Sequence, residues 1–355
     1  MDRAVSAAIQ AGLRSTPKMT IAIDAPKQLR QYFRLMIRYA TFCVILFVAA
    51  CGGSSPVRPD PQPTPTPTPA PSLLTLNGTV SATNGGHPLA GVTVEVAAIS
   101  STTDSAGRYS LSLPAGTQAS RFAVTGPGLL TRNGFLASGG SRTVDLEAFA
   151  LAGFDHAYFR AIARNGFEQP ASLQPVRRWT RAPLLYIRTV DDTGRAILPE
   201  VLQQVASIAS SVVPQYTNGR FGVAGIEQGT DTRKGQAGWI TIEWTRDASQ
   251  YCGFASVGQE GGGVTLTYDQ SGCSCGSQKI RPRTVKHELG HAMGLWHTGQ
   301  SVDLMSGIGV SECDRNMTAR ELQHLDYLYR RPVGNTDPDN DPSSGALLRP
   351  ILVIN

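Results

Sequence analysis

The chain has 355 residues, of which 41% are hydrophobic, 17% charged and 7% aromatic, with 37 glycines and 23 prolines. That length divides into about two domains, and the glycine and proline content points to β-rich modules with at least one linker. The net charge of +5 sits entirely in residues 1–50, which hold seven basic and two acidic residues and leave 25 of each sign for the remainder. A neutral body lacks the clustered positive charge of a nucleic-acid binder, and no apolar stretch reaches the roughly 20 residues of a membrane-spanning helix.

From Met36 a basic start leads into an uncharged apolar run, Tyr39 to Ala50, and small residues precede Cys51. This is the layout of a secretory signal, with an apolar centre too short to span a bilayer. Residues 1–50 are therefore read as an N-terminal extension plus signal, with translation expected to start at Met36. The end, Val48-Ala49-Ala50-Cys51, resembles a bacterial lipobox. That resemblance implies diacylglycerol on the Cys51 sulfur, cleavage just before it and, with Gly52 following, outer-membrane sorting if the source is Gram-negative. The expectation is an exported chain held to the cell envelope by a lipid anchor. Residues 51–72 continue as a Pro/Thr-rich linker. Alternating proline favours extended polyproline II, a semi-rigid spacer of about 3 Å per residue.

Residues 73–153 are rich in Val, Thr, Ser and Gly. Alternation in Val92–Val96 and Tyr109–Leu113 reads as strands, and Thr103-Asp104-Ser105-Ala106-Gly107 between them reads as a turn. Short strands at this spacing predict a small all-β sandwich. The run from Pro88 to Gly116 resembles the carboxypeptidase-regulatory-like or prealbumin-like domains of bacterial surface proteins, a resemblance that carries no catalytic residue. His87 falls in a turn and reads as a solvated loop residue. Residues 154–179 read as a connecting segment.

The chemistry concentrates at residues 287–298, His-Glu-Leu-Gly-His-Ala-Met-Gly-Leu-Trp-His-Thr. On a helix, His287 and His291 leave one face and can grip one zinc ion. Glu288 is one residue on, beside the metal rather than on it. Gly294 lets the helix end and the backbone turn, so that His297 can reach the same ion. Three neutral nitrogens leave a fourth position for water, as in a catalytic zinc site. The competing reading is an amphipathic helix with satisfied surface histidines. Upstream, Pro183–Val190 reads as a strand, Leu198–Tyr216 as an amphipathic helix, and Phe221–Ile226, Gly238–Trp244 and Gly263–Tyr268 as further strands.

HExxHxxGxxH resembles the metzincin zinc peptidases. The resemblance covers roughly residues 180–332 and implies an α+β fold, a mixed twisted sheet plus helices, behind the β-sandwich. It implies His287, His291 and His297 as ligands of one catalytic Zn2+, Glu288 as the catalytic base, and Met305 in a Met-turn beneath the site. It also implies a sheet edge at Gly263–Tyr268 to which peptide substrate adds as an antiparallel strand. The segment Thr318–Tyr329, with Thr318 and Glu321 placed for a capping box, resembles the C-terminal helix of matrixins; His324 reads as a surface residue of it. Thr298 after the third histidine leaves the subfamily open. Gly307 stands where some branches carry a fifth, tyrosine ligand, so none is expected. The cysteine distribution offers no cysteine switch. The scattered His87, His156 and His324 offer no second zinc site.

Cys252, Cys273, Cys275 and Cys313 flank this region and can pair in an oxidising compartment. Three connectivities exist. Cys273 and Cys275 are poor partners for each other, which leaves Cys252 and Cys313 to take one each; a structural zinc site of four thiolates is the rival. Residues 333–355 read as a flexible, solvated tail, although Asp337, Asp339 and Asp341 could hold calcium. The expected partners are a protein or peptide substrate and a membrane through the lipid anchor, with no nucleic acid, and the chain is expected to be a monomer. A non-catalytic surface adhesin and a zinc amidase acting on cell-wall peptides are the alternatives.

Overall fold

The computed structural model describes residues 72–247, 251–309, 311–343 and 352–354. The signal-like segment, Cys51 and the proline-rich spacer up to residue 71 lie outside the described residues.

Eight short strands form the first body: β1 (Leu73–Ala82), β2 (Thr93–Val96), β3 (Ile99–Thr102), β4 (Arg108–Pro114), β5 (Ser120–Thr125), β6 (Arg132–Leu136), β7 (Arg142–Thr143) and β8 (Leu146–Ala148). One sheet runs β4-β1-β7, with β8 also on β1, and the other runs β3-β2-β5-β6. The alternation in sequence explains the layering. Leu74, Leu76, Val80 and Ala82 of β1, Tyr109, Leu111 and Leu113 of β4, and Val94, Val96, Phe122 and Val124 of the second sheet are all buried in one core. Between β3 and β4 the chain turns on Asp104, whose Oδ1 accepts the N–H groups of Ala106 and Arg108 at 2.9 Å.

The second body begins with α1 (His156–Arg164) and continues through β9 (Leu184–Arg188), α2 (Pro199–Tyr216), β10 (Gly225–Gly229), β11 (Trp239–Thr245), β12 (Gly253–Ser256), β13 (Gly263–Thr267), α3 (Pro282–Ala292), α4 (Ala319–Tyr329) and β14 (Leu352–Ile354). The sheet order is β10-β9-β11-β13-β12-β14. The first four strands are parallel, β12 runs antiparallel to β13, and β14 runs antiparallel to β12 and so in the direction of the first four. Every residue of β13 is buried, as expected of a parallel strand covered on both faces. Helix α2 starts with Pro199 at a position where a missing N–H costs nothing. Its inward stripe, Val201, Leu202, Val205, Ala209, Val212 and Val213, follows the helical period. Burying one such valine or leucine contributes about 1.5–3 kcal/mol.

Four expectations need correction. The strand Gly263–Tyr268 is not the sheet edge, because β12 pairs with its outer side (Phe254 opposite Thr265, Ala255 opposite Val264). The short, glycine-started β12 carries too little pattern to be read from sequence. On the far side of β12 lies β14, with Ala255 opposite Val353. The strand expected at Phe221–Ile226 forms later, at Gly225–Gly229.

Residues 333–343 are not a solvated tail. Asn335 and Asp339 are fully buried. Asp337 takes a two-pronged bond from Arg160 at 2.8 and 2.6 Å, Asp339 pairs with Arg331 at 2.7 Å, and Asp341 pairs with Arg132 at 2.8 Å. The carboxylates that could have held calcium thus face guanidinium groups. Burial alone would raise Asp337, but the Arg160 bond and the charges of Arg160, His156 and Arg164 hold it below the usual carboxylate range.

His324 is buried rather than a surface residue of α4. Its ring packs edge-on to Tyr158, 4.6 Å between centroids, and Nδ1 lies 2.8 Å from the Arg320 carbonyl. Burial pushes its pKa down.

Candidate active site

Helix α3 opens at Pro282 and buries the face that carries Val285, Leu289 and Ala292. His287 and His291, one turn apart, leave the helix together. After Met293 the chain turns sharply at Gly294, whose φ of +114° and position against Arg177 explain the residue: an added Cβ would stand 2.0 Å from the Arg177 carbonyl oxygen. The turned strand is secured by the Trp296 N–H donating to the Ile162 carbonyl of α1 at 2.7 Å. It delivers His297 to the same point in space.

The three Nε2 atoms stand 3.1 Å (His287 to His291), 3.2 Å (His287 to His297) and 3.2 Å (His291 to His297) apart. Nitrogens held 2.0–2.1 Å from one tetrahedral zinc ion would stand about 3.3–3.4 Å apart. All three rings are buried, and they form a metal-capable group among the described residues. The opposite edges of the rings settle the tautomers. Nδ1 of His287 faces the Leu304 carbonyl at 2.6 Å, Nδ1 of His291 faces the Leu295 carbonyl at 2.7 Å, and Nδ1 of His297 faces the Glu168 carboxylate. Each oxygen can only accept, so each Nδ1 carries the proton and each Nε2 presents a lone pair to the common point. The residues present therefore fit a zinc ion.

Glu168 was not legible in the sequence; it lies after α1, in the segment read as a connector. Its bond from the His297 ring holds its carboxyl below the ordinary range despite partial burial. Such partners orient a ligand and raise its basicity. Glu168→Gln is expected to weaken zinc binding by about 10–100-fold, read by competition with a chromogenic chelator; an unchanged affinity would remove Glu168 from the site.

Glu288 is 1% exposed. Its carboxylate lies against Gly253 of β12, where a Cβ would come within 2.7 Å of Oε1; only glycine lets the strand pass this close. Met305 is fully buried, with its sulfur against Gly290 of α3. The loop bearing Met305 is fixed by Glu321, a buried carboxylate that accepts the N–H groups of Met305 at 2.8 Å, Leu304 at 3.1 Å and Thr318 at 2.7 Å. Burial pushes the Glu321 pKa up against those bonds. The same residue closes the capping box with Thr318 at the start of α4. Asp303 ties the loop together, accepting the hydroxyls of Thr298 at 2.7 Å and Tyr158 at 2.6 Å. Thr298 pairs with Met305 through its own N–H at 2.8 Å.

A cleft of about 350 Å³ opens over His287, Glu288 and His297. Tyr251, Cys252 and Gly253 wall it on the β12 side, and Ser306 to Gly309 wall it opposite. Disulfides Cys252–Cys273 and Cys275–Cys313 tie down the flanking loops, each contributing about 2–4 kcal/mol by restricting the unfolded chain.

Residues 206–298 match the family model described as Metallo-peptidase family M12B Reprolysin-like, a segment that runs from within α2 to one residue past His297. No curated protein matches the chain. Among solved structures the chain is similar to a type II cohesin–X-dockerin complex from Acetivibrio cellulolyticus, Coh3ScaB-XDoc_M2ScaA, with 21% identity, a TM-score of 0.18 and coverage of 22% of this chain and 58% of that one. Its M1ScaA counterpart gives 21% identity, a TM-score of 0.19 and the same coverage. This chain thus spans little more than half the length of those two. Metalloproteinase-II from Bacteroides fragilis gives 12% identity and a TM-score of 0.30 over 71% of this chain and 84% of that one. The family match ends just beyond the third histidine, so residues 206–298 are similar to a reprolysin-like metallopeptidase, and the three histidines gather around one point in an α+β frame as a group able to hold a metal.

Proposed function

We propose that this protein is a zinc endopeptidase displayed at the cell envelope, exported by the signal before Cys51 and anchored by lipid on that cysteine. The observation that carries the catalytic reading is the commitment of all three Nδ1 atoms to oxygen acceptors, which leaves three lone pairs on one point. His287, His291 and His297 would hold the ion. When bound, zinc supplies Lewis acidity, polarising a carbonyl and lowering the pKa of water towards ~7.

The chain's own residues do the rest. Glu288 takes a proton from the attacking water and passes it to the departing amine nitrogen. Its burial against β12 keeps that carboxylate out of bulk solvent and beside the cleft. Met305, held by Glu321 and packed against Gly290 of α3, would form the floor under the histidines. Peptide binding by strand addition needs a free backbone edge beside the base. β12 is that edge. Leu352–Ile354 pairs with it antiparallel, the geometry an extended substrate would adopt in its place. The spacer at 51–72 would carry the folded part clear of the membrane.

The test is cleavage of casein and a peptide library by the purified full chain. Activity should vanish with phenanthroline and return with added zinc. Cleavage that survived complete removal of the metal, or the absence of cleavage from the zinc-loaded chain, would contradict the proposal.

A further inference from the structure

The cleft contains two cations for which the reaction has no use. Arg283 lies one turn before His287 on the same face of α3, and Arg281 caps the start of that helix. Both side chains line the cleft together with His287 and Glu288. Neither forms an ion pair among the described residues. Arg281 spends its Nε on the Ser274 carbonyl at 3.1 Å. The Nε of Arg283 is buried and makes no hydrogen bond.

The other acids of the neighbourhood are engaged elsewhere. Glu168 is held by His297, and Glu312 makes a two-pronged pair with Arg315 at 2.7 and 2.6 Å. A half-buried guanidinium with an unused N–H is a costly state unless a ligand completes it. Burial pushes the Arg283 pKa down; Arg315 and Arg281 push the same way, while Glu312 and Glu288 oppose. Arg283 therefore shares the electrostatic environment of the base.

We propose that Arg283, assisted by Arg281, forms a cationic subsite that selects peptides with an aspartate or glutamate side chain close to the scissile bond. A carboxylate suits this place because a guanidinium can bind both of its oxygens at once. A neutral side chain would leave the desolvated charge of Arg283 uncompensated. The floor of the subsite is rigid: the backbone N–H of Arg283 donates to the Cys313 carbonyl at 3.1 Å, and Cys313 is bridged to Cys275.

This inference rests on the peptidase reading and deepens it by naming a substrate class. The test compares matched peptides with Glu, Gln or Lys at each position flanking the cleaved bond, using the full zinc-loaded chain. At one position the Glu peptide should exceed the Gln peptide in kcat/KM by about 10–100-fold, as expected for charge-assisted hydrogen bonds. In Arg283→Gln that ratio should fall to near unity, in Arg283→Lys it should be intermediate, and Arg283→Glu should favour the Lys peptide. A wild-type chain indifferent to Glu and Gln at every position, or a preference that survives Arg283→Gln and Arg281→Gln together, would overturn the subsite. Cleavage of none of the peptides would count against the peptidase reading instead. In that case, calorimetric binding of Glu and Gln peptides to Glu288→Ala decides the subsite, and equal affinities overturn it.

Discussion

Glu288→Ala is expected to lower kcat by about 10²–10⁴-fold, the range supplied by one positioned acid–base group, while the zinc content stays at the wild-type level. The two effects separate because the metal-facing atoms belong to His287, His291 and His297, whereas Glu288 turns towards β12. Truncation to alanine removes a carboxylate that is 1% exposed and opens space beside Gly253. KM should change less than kcat, since the proton transfers belong to the transition state and not to substrate binding. Steady-state kinetics beside elemental analysis of the same sample provides the check. A variant that turns over at the wild-type rate would show that another group is the base.

The second large effect is on stability. Arg331 and Asp339 are both fully buried and joined at 2.7 Å. Arg331 also donates to the Thr83 hydroxyl of the sandwich at 2.8 Å, and its guanidinium lies 4.2 Å from the Phe149 ring centroid. Asp339 accepts from Asn335 at 2.9 Å, and its own carbonyl receives the Asn133 N–H at 3.0 Å. Removing Arg331 strands the Asp339 carboxylate, and removing Asp339 leaves Arg331 only Glu147 at 3.9 Å, at a cost of about 3–5 kcal/mol. Asp339→Ala or Arg331→Met should therefore lower Tm by roughly 10 °C, taking about 2–4 °C per kcal/mol for a body of this size. The double variant Arg331→Met/Asp339→Leu should lose less than the sum of the single losses, because no uncompensated charge remains. Scanning calorimetry decides it. Single variants within a degree or two of wild type would mean that the pair lies open to solvent.

The two bodies differ in how far they could be read from sequence. Strand periodicity was plain in Tyr109–Leu113 because every second residue points into a one-sided core, and the zinc helix declared itself through residue types that share one chemistry at helical spacing. The α2 stripe was visible for the same reason. Three features left no such trace. β12 has only four residues, and its role depends on lying beside Glu288, which no local pattern records. Glu168 precedes His297 by 129 positions, and its neighbours, Phe167 and Gln169, give no periodic signal. The run Asp337–Asp341 looked like a solvated acidic tail because its partners, Arg132, Arg160 and Arg331, come from two separate bodies. A charge run reads as solvated until folding supplies counter-charges from afar. His324 was misplaced for a related reason: its burial comes from Phe154 and Tyr158, which lie far upstream in the sequence.

Three imidazoles converge on one point, and metal stoichiometry tests most directly whether they share one divalent ion. Elemental analysis of the purified full chain after dialysis should find one zinc per molecule, and His291→Ala should retain almost none while keeping the far-ultraviolet circular dichroism of the folded protein. A wild-type chain that holds no transition metal, or a His291→Ala variant that binds zinc as tightly as the parent, would contradict it.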